Sequence, residues 1–226
     1  MQRPLLLPRL YPIIDAGLFV DETPADAGFA GESDAALAIA RFAEQLLAGG
    51  ATLIQYRNKQ GSARQMLSHA RELRRAAAGV TAGVTLVMND RADLCLAAGF
   101  EGVHVGQDDV SPAGARMVVG RGRLLGVSTH DPEQLAAADA SDADVDYVAI
   151  GPVFATSTKE RPDPVVGLEG VRRARAATRK PLVAIGGITR GNCRAVIEAG
   201  ADCVAVVSDL FAQPRAATED FLRLLR

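Results

Sequence analysis

The chain reads as one closed parallel (β/α)8 barrel spanning residues 1–226. Three observations predict this fold class. Short runs of Val, Ile and Leu recur along the chain, Ala/Leu/Arg-rich stretches with helical spacing lie between them, and polar clusters follow the apolar runs at once. Near-continuous apolar runs mark strands buried on both faces, and their alternation with helices marks parallel pairing. An open doubly wound sheet would show the same alternation and is the alternative.

The first strand is predicted over Leu10–Ile14. It is followed by Ala16–Ser33, rich in Gly, Asp and Pro, which is long for a strand–helix connection and whose role stays open. The remaining strands are predicted over Thr52–Tyr56, Val84–Met88, Gly102–Val105, Leu124–Val127, Tyr147–Ile150, Leu182–Ile185 and Cys203–Val207. Helical spacing predicts helices over Ala35–Leu47, Ser62–Ala78, Arg91–Ala98 and Pro112–Val119. Further helices are predicted over Pro132–Ala140, Gly170–Thr178, Asn192–Ala199 and Ala217–Leu225. Asp131-Pro132 pairs a cap residue with a proline at the first helical position. Gly50-Ala51, Gly99-Phe100 and Gly200-Ala201 each end a helix and turn the chain into the next strand.

Composition narrows the function. A hydrophobic content of 48% supports a sizeable core, and a formal net charge of −2 argues against a general nucleic-acid or anionic-membrane binder. No apolar stretch approaches the roughly 18 residues of a membrane span. The opening MQRPLLLPRLYPIID is broken by Pro4, Pro8 and Pro12 and lacks a signal-peptide core, so a cytoplasmic location is expected. The expected partners are small-molecule substrates, with no nucleic acid and no membrane; a homo-oligomer is compatible with this reading. Cys95, Cys193 and Cys203 lack CxxC spacing and sit among Ala, Leu and Val, as small buried hydrophobes do.

The chemistry lies in the clusters. In a closed barrel all strand carboxyl ends lie on one face, so cations, carboxylates, hydroxyls and glycines gather on one rim. Ala184-Ile185-Gly186-Gly187-Ile188 and Ala205-Val206-Val207-Ser208 end strands seven and eight, where barrels commonly hold phosphate on backbone amides. Gln55, Arg57 and Lys59 alternate and so point to one side, a fork and a point charge suited to a diphosphate. Asp90, after Asn89, and Asp109 on the next strand end suit Mg²⁺ bridging a diphosphate, with Asp108 an alternative ligand; both could equally be helix caps. Thr156-Ser157-Thr158-Lys159 and Ser128 add hydroxyls and a cation. His104 and His130 show no partner arrangement of a general base, and a structural role is expected for each.

These residues resemble the thiamine-phosphate synthase family. Gln-x-Arg-x-Lys, Asn-Asp-Arg, His-x-Gly-Gln-x-Asp, Gly-x-Ser, Gly-Pro-Val-Phe-x-Thr-x-Thr-Lys and Ile-Gly-Gly-Ile occur here in family order, from Tyr11 to Ser208. The resemblance implies a cytosolic (β/α)8 barrel that joins hydroxymethylpyrimidine diphosphate to a thiazole phosphate, releasing diphosphate. It implies that Gln55, Arg57, Lys59, Asn89, Ser128 and Lys159 contact the pyrimidine diphosphate, and that Asp90 and Asp109 bind Mg²⁺. Thr156, Thr158, Gly187, Val207 and Ser208 would hold the thiazole phosphate. Tyr56, Asn58 and Ser157 are counted as substrate-binding with their clusters, and Arg57, Lys59, Ser128 and Lys159 as catalytic. Ala155 stands where the family often carries proline. An isomerase of the carboxythiazole phosphate, or a non-catalytic phosphoryl-ligand binder, are the rival readings; the intact diphosphate and threonine–lysine clusters argue against both.

Overall fold

A computed structural model describes residues 6–19, 30–80, 83–156 and 163–226. Its eight strands form a closed parallel barrel in sequence order. They are β1 (Leu10–Asp15), β2 (Leu53–Arg57), β3 (Thr85–Asn89), β4 (Gly102–Val105), β5 (Leu124–Thr129), β6 (Tyr147–Ile150), β7 (Leu182–Ile185) and β8 (Cys203–Val206). The barrel closes where β1 pairs with β8, Leu10 opposite Val204. Closure excludes the open-sheet alternative.

Helices follow every strand: α1 (Ala30–Ala48), α2 (Ala63–Ala78), α3 (Ala92–Ala98), α4 (Pro112–Val119), α5 (Pro132–Asp139), α6 (Gly167–Ala177), α7 (Cys193–Glu198) and α8 (Pro214–Leu224). Local chemistry sets several starts. Ser62 and Gln65 close a reciprocal capping box on α2. Ser111 and Asp131 each cap a helix whose first residue is proline, at α4 and α5. Gly99 ends α3 with φ 67°, a left-handed turn that glycine adopts without a Cβ clash.

Strand parity divides the core in two. Tyr11, Ile13, Leu53, Val87, Tyr147, Ala149, Val183, Cys203 and Ala205 fill the barrel interior. Their neighbours, such as Leu10, Ile14, Ile54, Tyr56, Leu86 and Val103, pack outward under the helices. Successive side chains point to opposite faces of a strand, so one register places both sets. Cys95, Cys193 and Cys203 are free and buried, as the sequence predicts. Among the described residues no helix is long and apolar enough to cross a membrane.

Candidate active site

A cavity of about 420 Å³ opens at the carboxyl ends of the strands. Its base is apolar, formed by Ile13, Ala149, Val183 and Ala205, and its rim is polar. Gln55, Arg57 and Lys59 all line it, as their alternation predicts. Asn89, Asp90, Asp109 and Ser128 continue the rim. Thr156, Gly187, Val207 and Ser208 close the opposite side.

Two predicted site residues are not brought to the cavity. The Tyr56 ring is buried against α2, where its hydroxyl meets His69 Nδ1 at 2.8 Å and accepts from Asn58 Nδ2 at 3.1 Å. Asn58 Oδ1 in turn accepts the Gly61 amide at 2.7 Å and shapes the β2–α2 turn. Both occupy the even side of a strand whose odd side, Gln55 and Arg57, faces inward, so parity itself turns them away. Burial pushes the Tyr56 phenol up to about 12, and it stays neutral. Ser157, Thr158 and Lys159 lie outside the described residues.

Arg57 is held in place. Its Nη1 donates to Asp15 Oδ2 at the end of β1, the register partner of Arg57. Asp15 also accepts the Gly17 amide at 3.1 Å. A guanidinium fixed on one edge keeps its remaining N–H groups for an anion without losing further side-chain entropy.

Lys59, Asp90 and Asp109 form the charged centre. Lys59 Nζ lies 2.5 Å from Asp90 Oδ2 and 3.9 Å from Asp109 Oδ1. Burial, and then the hydrogen bond to Asp109, pushes the Asp90 carboxyl up to about 6. Burial pushes Asp109 upward too, but the hydrogen bonds from Asp90 and the Gly106 amide outweigh it and hold Asp109 below the usual range. The two carboxyls are thus driven in opposite directions, with Lys59 the cation that faces both. Neither residue is a helix cap. Arg91 occupies the cap position of α3, Ser111 caps α4, and Asp109 Oδ2 accepts the Gly106 amide at 2.8 Å.

The Asp90 backbone is left-handed. Its φ is 63°, and its amide donates to His104 O at 2.7 Å. A non-glycine residue in this region costs on the order of 1 kcal/mol, a strain that collects at functional sites. Two adjacent carboxylates with a cavity beside them suit Mg²⁺, which takes one or two protein carboxylates and completes its shell with water and substrate phosphate. Among the described residues no cluster of three or more His, Cys, Asp or Glu is placed to hold a metal ion by itself. The donor set fits the metal.

Asn89 Nδ2 is buried without a hydrogen-bond partner at the cavity wall. An unpaired buried donor costs about 1–3 kcal/mol, and this one is left able to donate.

Both histidines are hydrogen-bonded within the fold. His104 lines the cavity and joins Ser128 Oγ at 2.8 Å and Tyr147 Oη at 3.0 Å. Burial pushes its imidazole down to about 4. His130 Nδ1 donates to Gly151 O at 2.6 Å, and its Nε2 lies 3.4 Å from Asp163. Sequence reasoning also missed Tyr11 and Asp15. Parity on β1 was the available signal, since Tyr11 and Ile13 share the inward face.

Gly186 and Gly187 have φ of 101° and 62°. A Cβ on Gly187 would strike Phe154 and the Ala155 carbonyl, and one on Gly186 would strike Pro152. Glycine is therefore required here to seat the β7 end against the β6 loop, as well as to leave backbone bare toward the cavity. The β8 end is braced to it: Asp209 Oδ2 accepts from the Arg190 amide at 2.8 Å and from Arg190 Nε at 3.0 Å.

A closed (β/α)8 barrel with its polar cavity at the strand carboxyl ends has the layout of a barrel enzyme. A family profile described as thiamine monophosphate synthase matches residues 29–210. The chain is 58% identical over 221 residues to the thiamine-phosphate synthase of Koribacter versatilis, covering 98% of this chain and 97% of that one. It is 44% identical over 204 residues to that of Chloroflexus aurantiacus, covering 90% and 85%. Among solved structures, thiamine phosphate pyrophosphorylase from Pyrococcus furiosus matches with a TM-score of 0.77 at 28% identity, over 96% of this chain and 95% of that one. The chain belongs to the thiamine-phosphate synthase family, whose members couple a pyrimidine diphosphate to a thiazole phosphate.

Proposed function

We propose that this chain joins 4-amino-2-methyl-5-hydroxymethylpyrimidine diphosphate to a thiazole phosphate, giving thiamine phosphate and diphosphate. The single observation that carries this reading is the split rim. Fixed cations and a carboxylate pair lie at the ends of β2 to β4, and a glycine–hydroxyl cradle lies at the ends of β7 and β8. One side suits a diphosphate with a metal, the other a single phosphate.

Mg²⁺ held by Asp90 and Asp109 would supply positive charge to the oxygens of the leaving diphosphate. Arg57, braced by Asp15, and Lys59 bind the same group, and their charges are preorganised for the anion that develops. Lys159 is assigned to it as well. The Asn89 amide and the Ser128 hydroxyl orient the pyrimidine half. The methylene carbon–oxygen bond breaks with its electron pair leaving on diphosphate, and the aminopyrimidine stabilises the positive methylene. The apolar base of Ile13, Ala149, Val183 and Ala205 keeps water from that carbon. The thiazole nitrogen then forms the new carbon–nitrogen bond with its own lone pair. Gly187, Val207 and Ser208, with Thr156 and Thr158, hold the thiazole phosphate so that this nitrogen faces the methylene.

The test is to incubate the purified protein with both substrates and Mg²⁺ and to follow thiamine phosphate by mass spectrometry. Thiamine phosphate with equimolar diphosphate is expected. Substrates recovered unchanged would overturn the reading.

A further inference from the structure

We infer that His104 is a positioning residue that fixes the Ser128 hydroxyl as a hydrogen-bond donor into the cavity, at the end of a one-way chain crossing the barrel interior. The inference rests on the proposed reaction for the identity of the acceptor, an atom of the pyrimidine diphosphate.

The chain has five members. Gln55 Nε2 donates to Tyr11 Oη at 3.0 Å, and Tyr11 Oη lies 3.0 Å from Tyr147 Oη. Tyr147 Oη is 3.0 Å from His104 Nδ1, and His104 Nε2 is 2.8 Å from Ser128 Oγ. Tyr11 and Tyr147 are buried, so water does not serve their hydroxyls.

The first link sets the direction. In this orientation of the Gln55 amide the nitrogen faces Tyr11 and has no lone pair to accept with, so Tyr11 Oη is the acceptor there. The Tyr11 proton then goes to Tyr147, and the Tyr147 proton to His104 Nδ1. His104 therefore carries its own proton on Nε2 and gives it to Ser128 Oγ. That oxygen already accepts, and its hydrogen is left for the cavity. The opposite direction would face the Tyr11 hydrogen against the amide hydrogens of Gln55 in a dry interior, leaving a buried donor unmet.

A separate observation shows that the fold is shaped around the link. His104, Gly126 and Tyr147 are register partners on β4, β5 and β6. A Cβ on Gly126 would overlap the Tyr147 ring and lie 2.5 Å from His104 Nδ1. Glycine at this position lets the Tyr147–His104 bond pass across β5. The His104 and Tyr147 rings stack with centroids 5.5 Å apart at 27°. Imidazole rotation is thereby restricted, and Nε2 stays aimed at Ser128.

Long-range proton–nitrogen NMR correlation of the unaltered, ligand-free protein reads the tautomer directly. Signals are assigned among His69, His104 and His130 by their loss in His104→Gln. A protonated Nε2 and a bare Nδ1 on His104 are expected; a protonated Nδ1, or averaging of the two forms, overturns the inference. The kinetic arm uses Tyr147→Phe, which removes the donor to Nδ1. It should lower kcat by up to about tenfold, the worth of one hydrogen bond. KM for the thiazole phosphate should be unchanged. In a Ser128→Ala background the same substitution should have no further effect, whereas equal losses in both backgrounds would mark the chain as packing only and overturn the inference. If Tyr147→Phe fails to fold, the spectrum of the unaltered protein still decides. If that protein makes no thiamine phosphate, the proposed reaction falls while the spectrum alone still settles the direction of the chain.

Discussion

Lys59 Nζ stands 2.5 Å from Asp90 Oδ2 at the end of β3, and the same ammonium lies 3.9 Å from Asp109 Oδ1 beyond β4. The ammonium draws together carboxylates that lie in separate loops, while burial still disfavours the charged form of Asp90.

Replacing Asp90 with Asn keeps the shape and tolerates the left-handed backbone, whereas Ala at φ 63° would add strain. Asp90→Asn should remain folded by circular dichroism and lose most coupling activity. Excess chelator should abolish turnover of the unaltered protein. Full turnover in chelator contradicts the assignment of the pair to Mg²⁺.

Lys59 is expected to act on the leaving group. Lys59→Met keeps the aliphatic stem and removes the charge, and should lower kcat by about a hundredfold, equivalent to roughly 3 kcal/mol for one preorganised group. Steady-state assays with each substrate varied in turn measure this. An unchanged kcat would assign Lys59 to the stability of the carboxylate pair instead.

His104 gives a pH dependence of known sign. Its imidazole is held down at about 4, against 6.5 in the unfolded chain, because burial disfavours the charged form. The unfolded chain therefore takes up the proton first. The stability His104 contributes is complete above pH 6.5 and is lost as pH falls toward 4, by at most about 3 kcal/mol. Urea unfolding from neutral to acid pH should show a shallower acid loss in His104→Gln. A ring titration by NMR with a midpoint at 6.5 or above would contradict this.

Gly187→Ala should destabilise the fold by about 1–2 kcal/mol, because the new Cβ meets Phe154 and Ala155 and the backbone is left-handed. Denaturant midpoints measure the loss. A variant as stable as the parent would show that the β6 loop yields freely.

Much of this was legible in the sequence. β4, β6 and β7 match the predicted runs residue for residue: each is a short, largely apolar run with a glycine directly after it, as strands buried on both faces are written. Gln55, Arg57 and Lys59 reach the cavity by the parity read from their spacing, and the same parity removes Tyr56 and Asn58. The partners of these residues were not legible. Asp15 lies just past the predicted first strand, and Tyr11 and Tyr147 lie far apart in the chain. Their hydroxyls meet over 136 residues of chain, a distance that only barrel closure resolves. His104 looked structural because neither Ser128 nor Tyr147 is near it in sequence.

The proposed division of the rim sets the diphosphate at the ends of β2 to β4 and the thiazole phosphate at the ends of β7 and β8. Calorimetric titration of each substrate into the unaltered protein, Ser208→Ala and Lys59→Met tests it most directly. Ser208→Ala should weaken the thiazole phosphate by about tenfold, one hydrogen bond to a charged group, and leave the pyrimidine diphosphate unchanged. Lys59→Met should do the reverse. Equal losses of both ligands in both variants, or the opposite pairing, would show that the rim is not divided in this way.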